Sequence, residues 1–129
     1  MSAFSDALNV TTSGLRSQAA RLRVTAENIA NVDTPGYRRK LMAFDATRGD
    51  NGLATVTPGD VNLSREPLEQ IYDPSNPLAD ATGNYEGTNV DLMIEIADAR
   101  EAQRSYEANL KMFDQTRQMS TALLDLLRR

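Results

Sequence analysis

The amino-acid sequence predicts a mainly α protein with one long helix at each end and a small, irregular middle segment that contains β-structure. Apolar and small residues recur every three or four positions in both terminal segments, as on one face of a helix. Four of the five Pro and five of the seven Gly lie between residues 37 and 87, where they favour turns. We therefore divide the chain into an N-terminal helix segment (1–36), a middle segment (37–87) and a C-terminal helix segment (88–129).

The N-terminal segment predicts a helix over about residues 2–31. Steps of four and three residues trace a heptad seam, in which a large residue recurs at every seventh position with small residues between. Its large residues are Leu8, Leu15, Leu22 and Ile29, and its small residues are Thr12, Ala19 and Ala26. The sequence Thr34-Pro35-Gly36-Tyr37 then predicts a type II turn, since Pro suits the second position of that turn and Gly the third.

The C-terminal segment predicts a second helix that begins near Thr88 or Asn89, because Thr88 and Asp91 have the spacing of a capping box. The large residues of its heptad seam are Leu92, Ile96, Tyr106, Leu110, Phe113, Leu124 and Leu127. Both helices would be far longer than the roughly 11–12 residues of an average globular helix. Neither has a complete apolar stripe of its own, so each needs a packing partner.

The middle segment predicts two short strands, 53–57 and 61–65, joined by a turn at Pro58-Gly59-Asp60. A further apolar stretch covers residues 68–72, and residues 73–87 have the composition of turns and loops. We expect this segment to form a small cap with little sheet rather than an independent domain.

The composition argues against catalysis and metal binding. The chain has no His and no Cys, which removes thiolate nucleophiles, disulfides, structural zinc sites and the usual near-neutral acid–base group. The acidic row in Asp91–Glu101 is best interpreted as a solvated helix face. A calcium loop starting at Asp73 fails because Leu78 and Asn84 stand where an EF-hand needs Gly and Glu. We predict no catalytic residues, no metal site, no cofactor and no small-molecule substrate.

Charge and hydropathy narrow the class of partner. The formal charge of −4 divides into +3 over residues 1–40, −6 over 41–87 and −1 over 88–129. The acidic middle argues against nucleic acid as a partner. No run of about 18 apolar residues exists, so we expect no membrane insertion. The start of the chain lacks the basic and continuous apolar regions of a cleaved signal peptide, so we expect any export to use another route.

Two motifs resemble the signatures of a known family. The first, directly after the heptad helix, is formed by Asn28, Asn31, Asp33, Thr34, Pro35, Gly36 and Tyr37. The second, inside the C-terminal helix, is formed by Arg104, Ser105, Tyr106, Glu107 and Asn109. Together they resemble the N- and C-terminal signatures of the bacterial flagellar axial proteins of the rod and hook. Tyr72-Asp73-Pro74, Asn89-Val90-Asp91 and the short middle segment are most similar to a proximal-rod member of that family.

The resemblance implies a structural subunit of the flagellar basal-body rod, whose terminal helices pair as a coiled coil in an inner-tube domain. It implies assembly with copies of itself and with other rod subunits. It also implies export by the flagellar type III apparatus, without a cleaved signal peptide, into the rod that crosses the periplasm. The turn at Thr34-Pro35-Gly36 would redirect the chain from the inner tube to the cap, or else be an ordinary surface turn. The alternatives are a sister rod protein, a generic helical interaction module and a carboxylate-based enzyme.

Overall fold

The structure, a computed structural model, describes residues 3–129. It consists of two long helices, α1 (Ala3–Ala30) and α2 (Leu92–Leu127), with two small antiparallel sheets between them along the chain. The prediction of a mainly α protein with a long helix at each end and some β-structure in the middle is confirmed.

The two helices lie antiparallel. A Cβ atom on Gly14 would lie 2.9 Å from the side-chain amide nitrogen of Asn109. Two turns further along α1, Arg21 lies 3.6 Å from Asp98, which precedes Asn109 on α2. Because both helices rise by the same distance per residue, this register places Ala3 opposite about residue 120. The last turns of α2 therefore have no facing helix in the described part of the chain.

The chain leaves α1 through the turn that the sequence predicts. The Asn31 N–H still donates to the Glu27 carbonyl (3.1 Å), and the Tyr37 N–H donates to the Thr34 carbonyl (3.1 Å), which closes a four-residue turn. Gly36 has a φ of 77°, and a positive φ is what the third position of a type II turn requires. The predicted type II turn is confirmed.

The predicted start of the second helix at Thr88 or Asn89 is wrong. Asp91 is the N-cap residue of α2, and its carboxylate accepts a hydrogen bond from the Met93 N–H (3.0 Å). The Thr88 hydroxyl is not free to cap, because it donates to the Val32 carbonyl (2.9 Å). Thr88 thus holds the segment before α2 against the end of α1.

The middle segment forms two hairpins. β1 (Lys40–Arg48) pairs antiparallel with β2 (Ala54–Leu63), and β3 (Gln70–Tyr72) pairs antiparallel with β4 (Asn84–Glu86). β1 is not predicted from the sequence, because its residues do not alternate cleanly between apolar and polar. Only part of the apolar stretch 68–72 becomes a strand.

The predicted pair of strands, 53–57 and 61–65, is wrong, because β2 continues through the expected turn. Pro58 lies in the strand, and Gly59 and Asp60 together face the single residue Ala43 across the sheet. This is a β-bulge, and a bulge is one of the few places where a strand accepts Pro. The turn-like sequence Pro58-Gly59-Asp60 therefore marks a bulge within β2 and not the end of a strand.

α1 covers the outer edge of β2. The backbone of Val56 points away from β1, and its N–H donates to the Ser13 hydroxyl (3.2 Å) while its carbonyl accepts from the Ser17 hydroxyl (3.3 Å). Ser13 and Ser17 are four residues apart and so lie on one face of the helix. The two serines satisfy backbone groups that would otherwise form an open strand edge.

The interior of the described chain is small and polar. Ala102 is its one fully buried apolar residue. The buried polar residues are Ser17, Thr25, Asn28, Ser64, Thr88 and Glu95. Since large apolar side chains supply most of the burial energy of an ordinary domain, most of that energy is left unused within this single chain.

α2 turns its smaller and more polar residues toward α1. The less exposed residues of this face are Glu95, Ala99, Ala102, Tyr106, Asn109, Phe113, Thr116 and Ser120. Tyr106 and Phe113 belong to it, as the heptad seam predicts. The other large seam residues are 37–76 % exposed in the single chain: Leu92, Ile96, Leu110, Leu124 and Leu127. The close approach at Gly14 leaves no room there for large side chains.

The seam of α1 is also partly displaced. Its large residues Leu8, Leu15, Leu22 and Ile29 are half-buried, but Ala19 and Ala26 are exposed. An exposed row with helical spacing runs along the opposite side, formed by Arg16, Ala19, Arg23, Ala26 and Ala30. We call this row the outer face of α1.

Gly59→Ala is expected to destabilise the hairpin of β1 and β2, because a Cβ atom at this position would lie 2.8 Å from the Ala43 carbonyl oxygen. We expect the free energy of unfolding to fall by about 1–3 kcal/mol in chemical denaturation. Gly49→Ala is the matched control, since its Cβ atom would mainly meet the flexible Asn51 side chain (3.0 Å). Equal losses in the two variants would contradict the importance of the bulge.

Candidate functional site

The side chain of Asn28 fixes the path of the chain after α1. It is buried, its amide donates to the Lys40 carbonyl (3.0 Å), and its oxygen accepts from the Lys40 N–H (2.9 Å). The Tyr37 hydroxyl donates to the same oxygen (2.9 Å). Because a side-chain amide presents a donor and an acceptor much as a peptide group does, Asn28 substitutes for a neighbouring strand at the first residue of β1.

Other residues of the first motif brace the turn. The Asn31 amide donates to the Glu27 carbonyl (2.8 Å), and the Thr34 hydroxyl donates to the Asn31 side-chain oxygen (3.1 Å). The Gly36 N–H donates to the Gly87 carbonyl (2.9 Å), which joins the turn to the segment before α2. Four residues of the motif are exposed, namely Asp33, Thr34, Pro35 and Gly36, and Asp33 and Pro35 take no part in these bonds.

We call the contact of Asn28 with Tyr37 and Lys40 the junction between α1 and β1. Arg39 connects this junction to α2. Its Nε donates to the carboxylate of Glu95, its Nη2 donates to Asp98 (3.2 Å), and its backbone N–H donates to the Asn89 side chain (2.6 Å). Glu95 is fully buried, so interpreting it as part of a solvated helix face is wrong. Sequence reasoning missed Arg39, because a single arginine after a turn has no periodicity and its partner lies 56 residues away.

Opposite charges continue along both sides of this junction. Arg21 on α1 lies 3.6 Å from Asp98 and 3.5 Å from Glu101 on α2. Lys40 at the start of β1 lies 2.6 Å from Glu27 on α1. The pairs link three different elements, so they favour one orientation of the hairpin and of α2 relative to α1.

The surroundings favour the protonation states that these bonds need. The hydrogen bond to the Glu27 carboxylate raises the pKa of Lys40. Burial raises the pKa of Tyr37, so its hydroxyl keeps the proton that it donates to Asn28. Both groups therefore stay protonated through the neutral pH range.

The second motif lies on α2 where the two helices approach closely. Its half-buried members are Ser105, Tyr106 and Asn109, and its exposed members are Arg104 and Glu107. The Asn109 amide lies against Gly14, so any residue other than Gly at position 14 would displace it. The motif thus has two sides: Asn109 contacts α1 at Gly14, and Arg104 and Glu107 are exposed on the surface.

Asp80 organises the loop between β3 and β4. One of its carboxylate oxygens accepts hydrogen bonds from the Thr82 hydroxyl (2.6 Å), the Thr82 N–H (2.9 Å) and the Asn84 N–H (3.1 Å). These bonds, above all the one from the Thr82 hydroxyl, lower the pKa of Asp80. Gly83 closes the loop with a φ of 86°, against the ring of Tyr72. The loop therefore satisfies its acidic group internally.

Six large apolar residues are exposed on the last part of α2. They are Met112, Met119, Leu123, Leu124, Leu126 and Leu127, and we call them the apolar end of α2. Leu126 and Leu127 are 64 % and 76 % exposed, in the turns that α1 does not reach. Apolar patches of this kind are uncommon on monomeric soluble proteins and mark interfaces.

Among residues 3–129, no helix is both long and apolar enough to cross a membrane. No group of three or more acidic, His or Cys side chains in the same range is placed to hold a metal ion.

Comparison with known proteins identifies the family. The family model "Flagella basal body rod protein" matches residues 8–38, and "Flagellar basal body rod FlgEFG protein C-terminal" matches residues 81–126. The flagellar basal-body rod protein FlgC of Agrobacterium fabrum is 41 % identical, over 99 % of this chain and 98 % of its own. The FlgC proteins of Escherichia coli O157:H7 and Aquifex aeolicus are 37 % and 33 % identical, each over 88 % of this chain and 90 % of theirs. The chain belongs to the FlgC family of flagellar basal-body rod proteins.

Membership of the FlgC family confirms the resemblance drawn from the two motifs. It makes the chain a structural rod protein rather than an enzyme, and the near-complete coverage favours FlgC over its sister rod proteins. The first family model covers most of α1 and the turn held by Asn28, and the second covers α2 where Asn109 meets Gly14.

Asn28→Ala is expected to destabilise this FlgC-family chain by about 2–4 kcal/mol, because it leaves the Lys40 backbone and the Tyr37 hydroxyl without partners. Thermal and chemical unfolding of the purified chain measure the loss. Asn9→Ala is the control on the same helix, since Asn9 is exposed. A loss no greater than that of the control would show that Asn28 does not hold the junction.

The loop at Asp80 is expected to loosen at acidic pH. The folded-state pKa of Asp80 is lowered, so its stabilising bonds are present above the ordinary carboxyl pKa and are lost as pH falls through the folded value. The protection factors of the Thr82 and Asn84 amides, that is, their exchange rates by NMR relative to the intrinsic rate at each pH, measure this from pH 7 downward. Asp80→Asn keeps an acceptor oxygen but removes the charge, so the same pH dependence in that variant would contradict the assignment.

Proposed function

We propose that this chain is a subunit of the proximal part of the flagellar rod and polymerises through its two terminal helices. In this proposal, segments 1–36 and 88–129 form a coiled-coil inner-tube domain, and segment 37–87 forms a small outer cap. The partners are copies of the same chain and other rod subunits.

The observation that carries the proposal is the distribution of side chains around α2. Apart from Tyr106 and Phe113, small and polar residues face α1, while large apolar residues such as Leu110 and Leu124 are exposed. Apolar surface that stays in water contributes no burial energy to the single chain. A neighbouring subunit that covers one leucine adds roughly 1.5–3 kcal/mol. The apolar end of α2 is thus suited to contacts between subunits.

The other predicted packing residues are proposed to extend this interface. Leu92 and Ile96 are exposed near the start of α2. The large seam residues of α1 are half-buried and keep surface for a neighbour: Leu8, Leu15, Leu22 and Ile29. Together with α2 they give the subunit apolar contacts along most of its length.

We also propose that the turn at Thr34-Pro35-Gly36 redirects the chain from the inner tube to the outer cap. The support is the placement of its neighbours. Asn28 bonds to the first residue of β1, and Thr88 bonds to Val32 just before α2 begins. The chain thus enters and leaves the middle segment at one end of the helix pair.

Export by the flagellar type III apparatus, without a cleaved signal peptide, into the rod that crosses the periplasm completes the proposal. Its support is the family membership and the nature of the interior. Ala102 is the one fully buried apolar residue among residues 3–129. Little burial energy therefore opposes the unfolding that passage through a narrow channel requires.

Leu124→Lys combined with Leu127→Lys is expected to abolish rod assembly. Both side chains are exposed in the single chain, so we expect the free energy of unfolding to change by less than about 0.5 kcal/mol. Swimming and electron microscopy of basal bodies measure assembly in a strain whose only copy of the gene carries the changes. Chemical denaturation of the purified chain measures stability.

Gln115→Lys combined with Gln118→Lys is the matched control, because it adds the same two charges at exposed polar positions of α2. Complete rods in the double lysine variant would contradict a role of the apolar end in assembly. A motile strain that lacks the gene altogether would contradict the rod function itself.

A further inference from the structure

The turn between β1 and β2 contains the one Asn-Gly pair of the chain. The chain has nine Asn, and eight of them are followed by Pro or by a large or β-branched residue. Asn51 alone is followed by Gly, and both residues are exposed. Because Gly has no Cβ atom, its backbone nitrogen is less shielded than that of any other residue. Asn51 is therefore the asparagine whose side-chain carbon the next backbone nitrogen reaches most easily.

This pair of residues can react without an enzyme or a cofactor. The Gly52 nitrogen forms a bond to Cγ of Asn51, the bond from Cγ to Nδ2 breaks, and ammonia leaves with the proton of the attacking nitrogen. Water then adds to one of the two carbonyl carbons of the five-membered imide ring, and the nitrogen takes back a proton as its bond to that carbon breaks. The products are aspartate, or isoaspartate in which the main chain runs through Cβ and Cγ.

In the folded chain both reacting groups are hydrogen-bonded. The Gly52 N–H donates to the Gly49 carbonyl (2.9 Å), and the side-chain oxygen of Asn51 accepts from the Leu53 N–H (3.0 Å). The Gly49 N–H donates to the Leu53 carbonyl (2.9 Å), which closes the loop at its base. The Gly52 nitrogen must lose its proton before it attacks, so its bond to Gly49 has to break. The reaction therefore requires that the turn opens first.

The turn is ordered but small. Gly52 has a φ of 78°, the left-handed conformation with which a three-residue hairpin loop commonly ends. A Cβ atom on Gly52 would meet nothing within 4 Å, so no other part of the described chain packs against it there. Local opening of such an exposed loop costs much less free energy than global unfolding. The turn thus slows the reaction but does not abolish it.

We propose that Asn51 is a site of spontaneous deamidation that the folded turn protects. It reacts readily in chains whose hairpin is open and slowly in folded chains. Both products add a negative charge next to Asp50, in a segment that is already acidic. Isoaspartate also adds one atom to the main chain of a short loop whose length sets the register of β1 and β2. A chain that reacts while its hairpin is open therefore regains a less stable turn.

Incubation of the purified full-length chain in mildly alkaline buffer, with and without concentrated urea, tests the proposal. Peptide mass spectrometry follows the loss of each Asn, and labelling by an isoaspartate methyltransferase identifies isoaspartate. We expect Asn51 to react first in urea, where the fold has no influence. In the folded chain we expect its rate to be at least about tenfold lower, because only the open fraction reacts.

Hydrogen exchange of the Gly52 amide measures the opening of the turn independently, since the same bond to Gly49 must break. We expect the slowing of deamidation in the folded chain to be at least as large as the protection factor of this amide. A smaller slowing, or equal rates in buffer and in urea, would overturn protection by the turn. Another Asn that reacts first in urea would overturn the site.

Two variants test the chemistry at Asn51. Gly52→Ala in urea is expected to lose most of the product, because a Cβ atom shields the attacking nitrogen; wild-type yield would contradict the selection of this asparagine by Gly52. Asn51→Gln is expected to give no product at this position, because its longer side chain would have to close a six-membered ring. Product at an undiminished yield in that variant would show that the signal comes from elsewhere.

Asn51→Asp is the matched control for the consequence, because it has the same charge as the isoaspartate form without the additional main-chain atom. The isoaspartate form is separated by chromatography. We expect its Gly49 amide, which donates across the base of the loop, to exchange at least about threefold faster than that of Asn51→Asp. Equal exchange in the two forms would overturn the loss of turn stability.

Discussion

The buried amide of Asn28 is the contact on which the arrangement of the three segments depends. It pairs with both backbone groups of Lys40 and accepts from the Tyr37 hydroxyl. Moving the hairpin away from α1 would break these bonds and leave the buried Asn28 amide without partners, which costs more than losing an exposed bond. Since Arg39 is the neighbour of Lys40, the same anchor also positions the guanidinium that holds Glu95 on α2.

The interactions within this chain differ in kind from those that its surface offers to a neighbour. Within the chain, directional hydrogen bonds and ion pairs set the geometry, and small residues such as Ala102 fill the space between the helices. Outside it, exposed leucines provide non-directional apolar surface. Directional bonds fix shape with modest net energy, whereas apolar burial supplies energy with little preference for orientation. A subunit that must have a defined shape before it binds a neighbour therefore needs hydrogen bonds and ion pairs in its interior.

The sequence predicted what is local and missed what is distant. The helices and the type II turn depend on periodicity and on Pro35 and Gly36, so they were predictable. The bulge was missed because Pro58 and Gly59 read locally as a turn, and only the register with β1 shows otherwise. Heptad spacing found rows of large residues on α2 but could not tell which row faces α1. That choice depends on Gly14, far away in the chain.

Gly14 and Asn109 show why the large residues of α2 belong on its outside. Helices packed through leucines lie roughly 8–10 Å apart and bury enough surface to satisfy each other. A chain with that contact would form a self-sufficient hairpin and keep little apolar surface for neighbours. With a glycine against an amide, α1 and α2 approach through small groups, and the leucines stay available. The weak interior is therefore a condition of assembly, because the same side chains cannot stabilise the single subunit and the contact between subunits.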